Sequence, residues 1–305
     1  MPSSSPAPLS VVVAGSSGFL GRHLVTALRE RGHAVTTLVR REAGSAESRW
    51  DPQAGEVDTA LVRSADVVVN LAGAPLIGNP HSDKWAREVR TSRVTTTRLL
   101  AETIAGAERA PALVNASGIS WYGDHGSAPL TESSDTRGHA LLTRVCREWE
   151  AATQPAQEAG ARVVLLRTAP VQDRSNPPLQ AQRLQFLAGL GGRIGSGRQH
   201  MPLISLRDWV GGVVFLVEHP TAAGPANLCA PQTPTNAEFT RTLAGLVHRP
   251  ALLTVPAAAI RLTAGALADE LLGSLNVAPR TLLDLGYAFA DPDVAAVLAA
   301  GLSRD

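Results

Sequence analysis

Cysteine, lysine and aromatic residues are scarce in this 305-residue chain. Its two cysteines, Cys146 and Cys229, are too few for a disulfide scaffold and stand at no metal-ligand spacing. Lys84 is the single lysine; the other cations are arginines, which reads as a habit of codon composition. Lysine plus arginine total 28 against 27 acids, a formal net charge of +1, so no field favours nucleic acid or an anionic membrane. The apolar stretch over residues 251–267 is broken by Pro256 and Arg261, which argues against a membrane span. No basic segment precedes the first apolar run, so no secretory signal is expected and the expected location is cytoplasmic. At 44% hydrophobic and 18% charged, the composition is that of a globular chain with ample core. Residues 1–8, rich in Pro, Ser and Ala, are expected to be a mobile tail.

Against these absences stands one highly patterned stretch. Residues 11–14 are an apolar run that reads as a buried parallel strand. Gly15, Gly18 and Gly21 follow at spacing three, with Ser16, Ser17, Phe19 and Leu20 between them. Leu20, Leu24, Val25 and Leu28 then recur at helical spacing. Strand, glycine turn and helix together are the phosphate-binding half of a dinucleotide fold. Gly15 permits a tight turn, Gly18 lets a pyrophosphate approach the backbone, and Gly21 lets the helix pack close to the strand. The free N–H groups and the dipole of the helix start then hold the anion.

Residues 34–39 read as a second buried strand. An acid near the end of such a strand accepts from the ribose 2′-OH and selects NAD. Here Arg40 and Arg41 stand there, with Glu42 the nearest acid. A guanidinium suits a 2′-phosphate, which points to NADP(H) and to Arg40; two solvated loop arginines are the alternative. Residues 66–71 form another strand, opening into Ala72-Gly73-Ala74-Pro75, a small-residue turn where a cofactor crosses the sheet. Residues 84–105 read as a long amphipathic helix whose Arg90 and Arg93 either reach a phosphate or form a solvated face. A strand over 112–116 ends at a cluster containing Ser117, Tyr122 and His125. A second long helix is expected over 137–159, and a further strand over 161–167.

This alternation predicts an α/β fold, a Rossmann-type doubly wound parallel sheet with right-handed crossovers, over residues 9–169. Residues 170–305 are expected to form a smaller, mostly helical C-terminal substrate lobe, with the chain partly returning to the first domain. Helical patterns cover 179–190, 208–218, 236–247 (capped by Thr235 or Asn236), 255–272 and 279–285. Between them, residues 189–200 carry five glycines and read as a lid. No metal motif is present.

These features resemble the extended short-chain dehydrogenase/reductases, and more closely an atypical, sugar-nucleotide-epimerase-like branch with a C-terminal domain of unknown function. The resemblance is carried by Gly15-Ser-Ser-Gly-Phe-Leu-Gly21, Asn70-Leu-Ala-Gly73, Ser92-Arg-Val94 and Trp121-Tyr-Gly-Asp124, then by Val145-Cys-Arg-Glu-Trp-Glu150, Val163-Val-Leu-Leu-Arg-Thr168, Gly195-Ser-Gly-Arg-Gln199 and Asn236-Ala-Glu-Phe239. It implies that a cofactor contacts Gly15, Ser16, Ser17, Gly18, Phe19, Leu20, Gly21, Arg40, Leu71, Ala72, Gly73, Ser117, Arg167 and Thr168. The departures are as informative. The superfamily's Tyr-x-x-x-Lys pair is impossible here, because Lys84 precedes both tyrosines, Tyr122 and Tyr287. Leu142 and Cys146 stand at the expected positions. Ala74 stands where an acid usually follows Asn-Leu-Ala-Gly, and the segments after Thr168 and Gln199 also depart, which implies a rebuilt substrate pocket.

Three functions follow. The first is an NADP(H)-dependent oxidoreductase or epimerase-type enzyme on a small biosynthetic metabolite, with hydride transfer governed by positioning. Its proton then needs another donor. Tyr122 is the first candidate, with Ser117 beside it and His200 as an alternative. His125 and His139 are further imidazoles able to shuttle near neutral pH. Cys146 is weaker, since a buried helix thiol is usually inert core. The second function is a non-redox cyclase, dehydratase or isomerase on the same scaffold. The third is a catalytically inactive cofactor sensor. The expected partner is a small-molecule substrate, with no nucleic acid and no membrane; the oligomeric state stays open, a homodimer included.

Overall fold

The computed structural model describes residues 7–303, so the expected tail lies, over residues 1–6, outside the described residues. Seven parallel strands form the central sheet. They are β1 (Ser10–Ala14), β2 (Ala34–Val39), β3 (Glu47–Arg49), β4 (Val67–Asn70), β5 (Ala112–Gly118), β6 (Val163–Thr168) and β7 (Gly224–Leu228). Their order across the sheet is β3-β2-β1-β4-β5-β6-β7. The direction of travel reverses between β1 and β4, and ligands of such sheets bind in the crevice at that point, beyond the carboxyl ends of the strands.

The helices are α1 (Phe19–Glu30), α2 (Thr59–Ser64), α3 (Asp83–Ala105), α4 (Leu141–Ala151), α5 (Gln154–Glu158) and α6 (Pro177–Leu187). Then come α7 (Leu206–Glu218), α8 (Asn236–Leu246), α9 (Ala257–Ala264), α10 (Ala268–Leu272), α11 (Arg280–Asp284) and α12 (Val294–Leu302). Side chains alternate along β1, so its two faces enter two cores. Val11 and Val13 pack with Leu24 and Leu28 of α1 and with Trp209 and Val213 of α7. Val12 and Ala14 pack with Val62 of α2 and with Leu100 and Ile104 of α3. Each Val or Leu fully buried this way contributes about 1.5–3 kcal/mol. The sheet is therefore doubly wound.

The C-terminal lobe is mostly helical. Phe186 of α6, Phe239 and Leu243 of α8, and Val297 and Leu298 of α12 form its core. Beyond residue 170, α7 covers the sheet and β7 pairs with β6 from Gly224↔Val164 to Leu228↔Thr168.

Several elements differ from expectation. The helix expected over 137–159 is two helices preceded by extended chain. Gly138 has φ +74° and the Arg137 N–H donates to the Tyr122 carbonyl at 2.7 Å, which holds the entry out of helix. Pro155 then lacks an N–H and its ring would meet the carbonyl of Ala151, so α4 stops before it. The helix expected over 255–272 is broken at Gly265, at φ +48°, and its first residue belongs to a strand, Leu253–Val255. That strand pairs in parallel with Gly192–Ile194, inside the glycine-rich segment. The segment expected as a lid is further held by Ile194 N–H on Asn236 Oδ1 (2.7 Å) and Ala237 N–H on the Gly197 carbonyl (2.9 Å). Thr235 is the cap of α8, in a capping box with Glu238.

Candidate functional site

The glycine turn follows β1. Gly15 adopts φ +82°, and a Cβ there would lie 2.6 Å from the carbonyl carbon of Leu71, so no side chain fits between the ends of β1 and β4. The Gly18 N–H donates back to the Gly15 carbonyl at 3.1 Å and closes the turn. Gly18 is the N-cap of α1, extended at φ −71° and ψ 167°, with no side chain capping the helix. The first-turn N–H groups of Phe19, Leu20 and Gly21 have no acceptor within the helix, and they converge on the exposed Ser17–Gly18 turn. That is an anion cradle.

At the end of β4, Asn70 is wholly buried and fixes the next turn. Its Oδ1 accepts the Ala72 N–H at 3.1 Å, while its Nδ2 donates to Thr97 Oγ1 (2.9 Å) and Asn115 Oδ1 (2.8 Å). Trp149 Nε1 donates to the same Thr97 hydroxyl at 2.9 Å. Leu71, Ala72 and Gly73 are thus pinned beside the glycine turn. Arg90 and Arg93 of α3 divide. Arg90 is half-exposed and spent on Glu148. Arg93 donates to the carbonyls of Ala74 (3.1 Å) and Val89 (2.9 Å) and lies 5.1 Å above the Trp149 ring. Burial pulls its pKa down, and among the described residues it has no carboxylate partner. It is a charged group held against the cofactor turn, which a sequence reading could only list beside its solvated neighbour.

At the end of β2, Arg41 is tied to Glu47 through both guanidinium nitrogens, at 2.7 and 2.6 Å. Arg40 is exposed and, among the described residues, in no ion pair. The two adjacent arginines are therefore not equivalent.

Beyond β5 and β6 the side chains interlock. Ser117 Oγ donates to Glu150 Oε1 at 2.7 Å, and Arg167 holds both oxygens of Glu150 at 2.9 Å. The Arg167 guanidinium lies 3.5 Å above the Trp121 ring and 5.0 Å from that of Tyr122. Ser117, Glu150 and Arg167 are buried. Thr168 Oγ1 accepts from Trp209 Nε1 at 3.2 Å. This cluster locks the strand ends over which a cofactor would lie, so Ser117 serves as a fixed donor to Glu150.

Tyr122, the expected proton donor, sits in the core. Tyr122 is fully buried, its hydroxyl donates to Asn227 Oδ1 at 2.8 Å, and burial pushes its pKa up to about 12. The proton is committed inside the core, between the sheet and the lobe. His200 is not brought to Ser117 or Tyr122 by any contact; its ring Nδ1 lies 3.4 Å from Ser274 Oγ in the C-terminal lobe. The His125 ring faces the Tyr122 carbonyl at 3.2 Å. Cys146 lies against Gly118, where a Cβ would be 3.1 Å from its Sγ, and burial raises the thiol to about 12, so it is inert core. Of the imidazoles, His139 faces a cavity of about 290 Å³ between the start of α4 and α10, also lined by Ser120, Thr143, Arg261 and Glu270. Glu270 was invisible to motif reading, because only the fold brings α10 to α4.

Residues 11–229 match the family model described as NAD dependent epimerase/dehydratase. The chain belongs to that family. Residues 255–300, spanning α9 to most of α12, match a domain of unknown function, DUF1731. An epimerase family protein of Mycobacterium bovis is 41% identical to this chain over 92% of its length and 93% of the relative's. Human epimerase family protein SDR39U1 is 34% identical over 95% of this chain and 98% of its own. The crystal structure of that human protein with NADPH aligns with TM-score 0.85 and 32% identity, covering 96% of this chain and 99% of that one. A nucleoside-diphosphate sugar epimerase of Corynebacterium glutamicum aligns with TM-score 0.80 and 32% identity over 97% of this chain and 58% of that one. This epimerase/dehydratase member thus joins the family's sheet to a DUF1731 region.

Proposed function

We propose that this epimerase-family protein binds NADP(H) and transfers hydride to or from a small biosynthetic metabolite held between the sheet and the C-terminal lobe. The unpaired Arg40 beside the glycine cradle carries the cofactor assignment, since a ribose-selecting acid is absent from that place. The NADPH of the human relative's structure supports it. The residues present fit the cofactor: the first-turn N–H groups of α1 suit its pyrophosphate, Arg40 its 2′-phosphate, and the pinned Leu71–Gly73 turn and the Ser117–Arg167 cluster the remainder. When bound, the cofactor supplies hydride; the chain supplies position, a dry site and a proton source other than Tyr122. Fluorescence titration tests this, with NADPH expected to bind more tightly than NADH. Equal affinities would refute the assignment.

A second reading, a non-redox isomerase, cyclase or dehydratase, is favoured by Leu142 and Cys146 at the pair's positions. The two part on whether product formation changes the ultraviolet absorbance of the reduced nicotinamide.

A further inference from the structure

The near-neutral total charge conceals a separation along the chain. Residues 174–207 and 239–268 contain no Asp or Glu, yet they hold eight of the 28 basic residues, all of them arginines. The fold joins these two acid-free stretches. Leu253–Val255 pairs with Gly192–Ile194, Arg193 Nε donates to Thr254 Oγ1 at 3.3 Å, and Arg249 Nε donates to the Leu187 carbonyl at 3.4 Å. Arg193 and Arg249 are exposed, and among the described residues neither forms an ion pair.

The same junction carries bare hydrocarbon. His248, at φ +53°, and Pro250 turn the chain out of α8, and the Leu252 and Leu253 that follow are 87% and 47% exposed. On the α6 side, Leu184 and Leu190 are each 57% exposed, and Gln185 Nε2 on the Leu190 carbonyl at 3.0 Å ties the second of them to the helix end. A leucine as exposed as Leu252 projects from the surface and lines no groove. Protein-docking surfaces draw their anchors from Trp, Tyr and Arg in desolvated pockets, with leucine under-represented. Here the exposed large apolar groups are leucines, without an aromatic among them. Projecting leucines beside uncompensated guanidinium groups suit a lipid interface, where hydrocarbon enters the acyl boundary and cations stay at the headgroup phosphates. A nucleic acid would offer the leucines nothing.

We propose that this face of the C-terminal lobe docks on an anionic lipid surface, with Leu252 and Leu253 at the acyl boundary and Arg193 and Arg249 at the headgroup phosphates. The attachment is peripheral and does not depend on the hydride-transfer reading, since none of these residues belongs to the cofactor site. Each arginine near an anionic leaflet raises partition about fivefold, and the attraction fades within a Debye length. The rest of the chain holds all 27 acids against fewer cations, so its repulsion from the same leaflet turns the lobe toward the lipid.

Flotation of the full chain with vesicles of phosphatidylcholine, with and without phosphatidylserine, is the test. Wild type should float with the phosphatidylserine vesicles and not with phosphatidylcholine alone. Raising salt from ~0.1 to ~1 M, which shortens the screening length from ~10 to ~3 Å, should release it. Arg193→Gln combined with Arg249→Gln should weaken binding roughly 25-fold. Leu252→Ser should weaken it roughly tenfold. Arg87→Gln, an exposed arginine of α3 outside the patch, should bind as wild type does. All these side chains are exposed, so unfolding midpoints should match wild type; if one patch variant loses its midpoint, the other decides. No flotation, equal flotation with uncharged vesicles, or Arg87→Gln as weak as the double variant overturns the proposal. Binding to polyglutamate that equals vesicle binding and ignores Leu252→Ser overturns it too, in favour of an acidic protein partner.

Discussion

A methyl group added at Gly21 would lie 2.2 Å from the Gly15 carbonyl oxygen, a distance no real contact tolerates. Gly18 has more room, with the same oxygen at 3.3 Å. The two glycines should therefore fail differently. Gly21→Ala forces α1 off the turn and should cost stability, about 1–3 kcal/mol by analogy with overpacked cores, read as a lowered unfolding midpoint in denaturant. Gly18→Val should leave folding nearly intact and abolish NADPH binding, because its side chain enters the anion cradle. Arg40 and Arg41 form a similar contrast. Arg40→Asp should narrow or invert the NADPH-over-NADH preference in fluorescence titrations, whereas Arg41→Asp, which loses its bonds to Glu47 and the Glu42 carbonyl, should leave it unchanged. Tyr122→Phe is the third case. Removing the hydroxyl strands Asn227 Oδ1 in the core, at about 1–3 kcal/mol, with no comparable loss in the rate of hydride transfer. A large rate loss without destabilisation would restore Tyr122 as the acid.

Among the elements, β1 and β4 are tied at their amino ends by Asp66, which accepts the Ser10 N–H and hydroxyl, both at 2.9 Å. The Ser10 N–H, then its hydroxyl, hold the Asp66 carboxyl below the usual range, with Arg109 assisting against burial. A lowered folded-state pKa means stabilisation that is present above the unfolded value, near ~3.9, and lost as pH falls through the folded one. Asp66→Asn should thus be less stable than wild type at neutral pH, with the difference shrinking on acidification in denaturant titrations. What could be read from sequence follows the same physics. The apolar runs of β1, β2, β4, β5 and β6 are legible because strands buried on both faces must be apolar throughout. β3, Glu-Ser-Arg, and β7, Gly-Pro-Ala-Asn-Leu, lack that signature: one lies at the sheet edge, and the other opens with turn residues. The glycine cradle was legible because its chemistry is local. The burial of Tyr122 and the approach of Glu270 to α4 were not legible, because contacts between lobes have no local spacing to announce them.

For the molecule as a whole, the Glu150–Arg167 pair joins α4 to β6, and Tyr122–Asn227 joins the segment after β5 to β7. Breaking the buried pair by Glu150→Gln leaves Arg167 unneutralised and should cost about 3–5 kcal/mol, measurable as a loss of denaturant midpoint. Among the described residues no helix is long and apolar enough to cross a membrane. The return of the chain to form β7 has a temporal side. During synthesis β6 emerges long before its neighbour, since residues 169–223 must be translated between them. At bacterial to eukaryotic elongation rates that takes roughly 3–11 s, during which the edge of β6 offers an unpaired Val-Val-Leu-Leu ladder to any passing strand. Anything that slows the ribosome across those codons lengthens the exposure. The yield of soluble protein should therefore respond more to codon choice between residues 169 and 223 than to codon choice after residue 228.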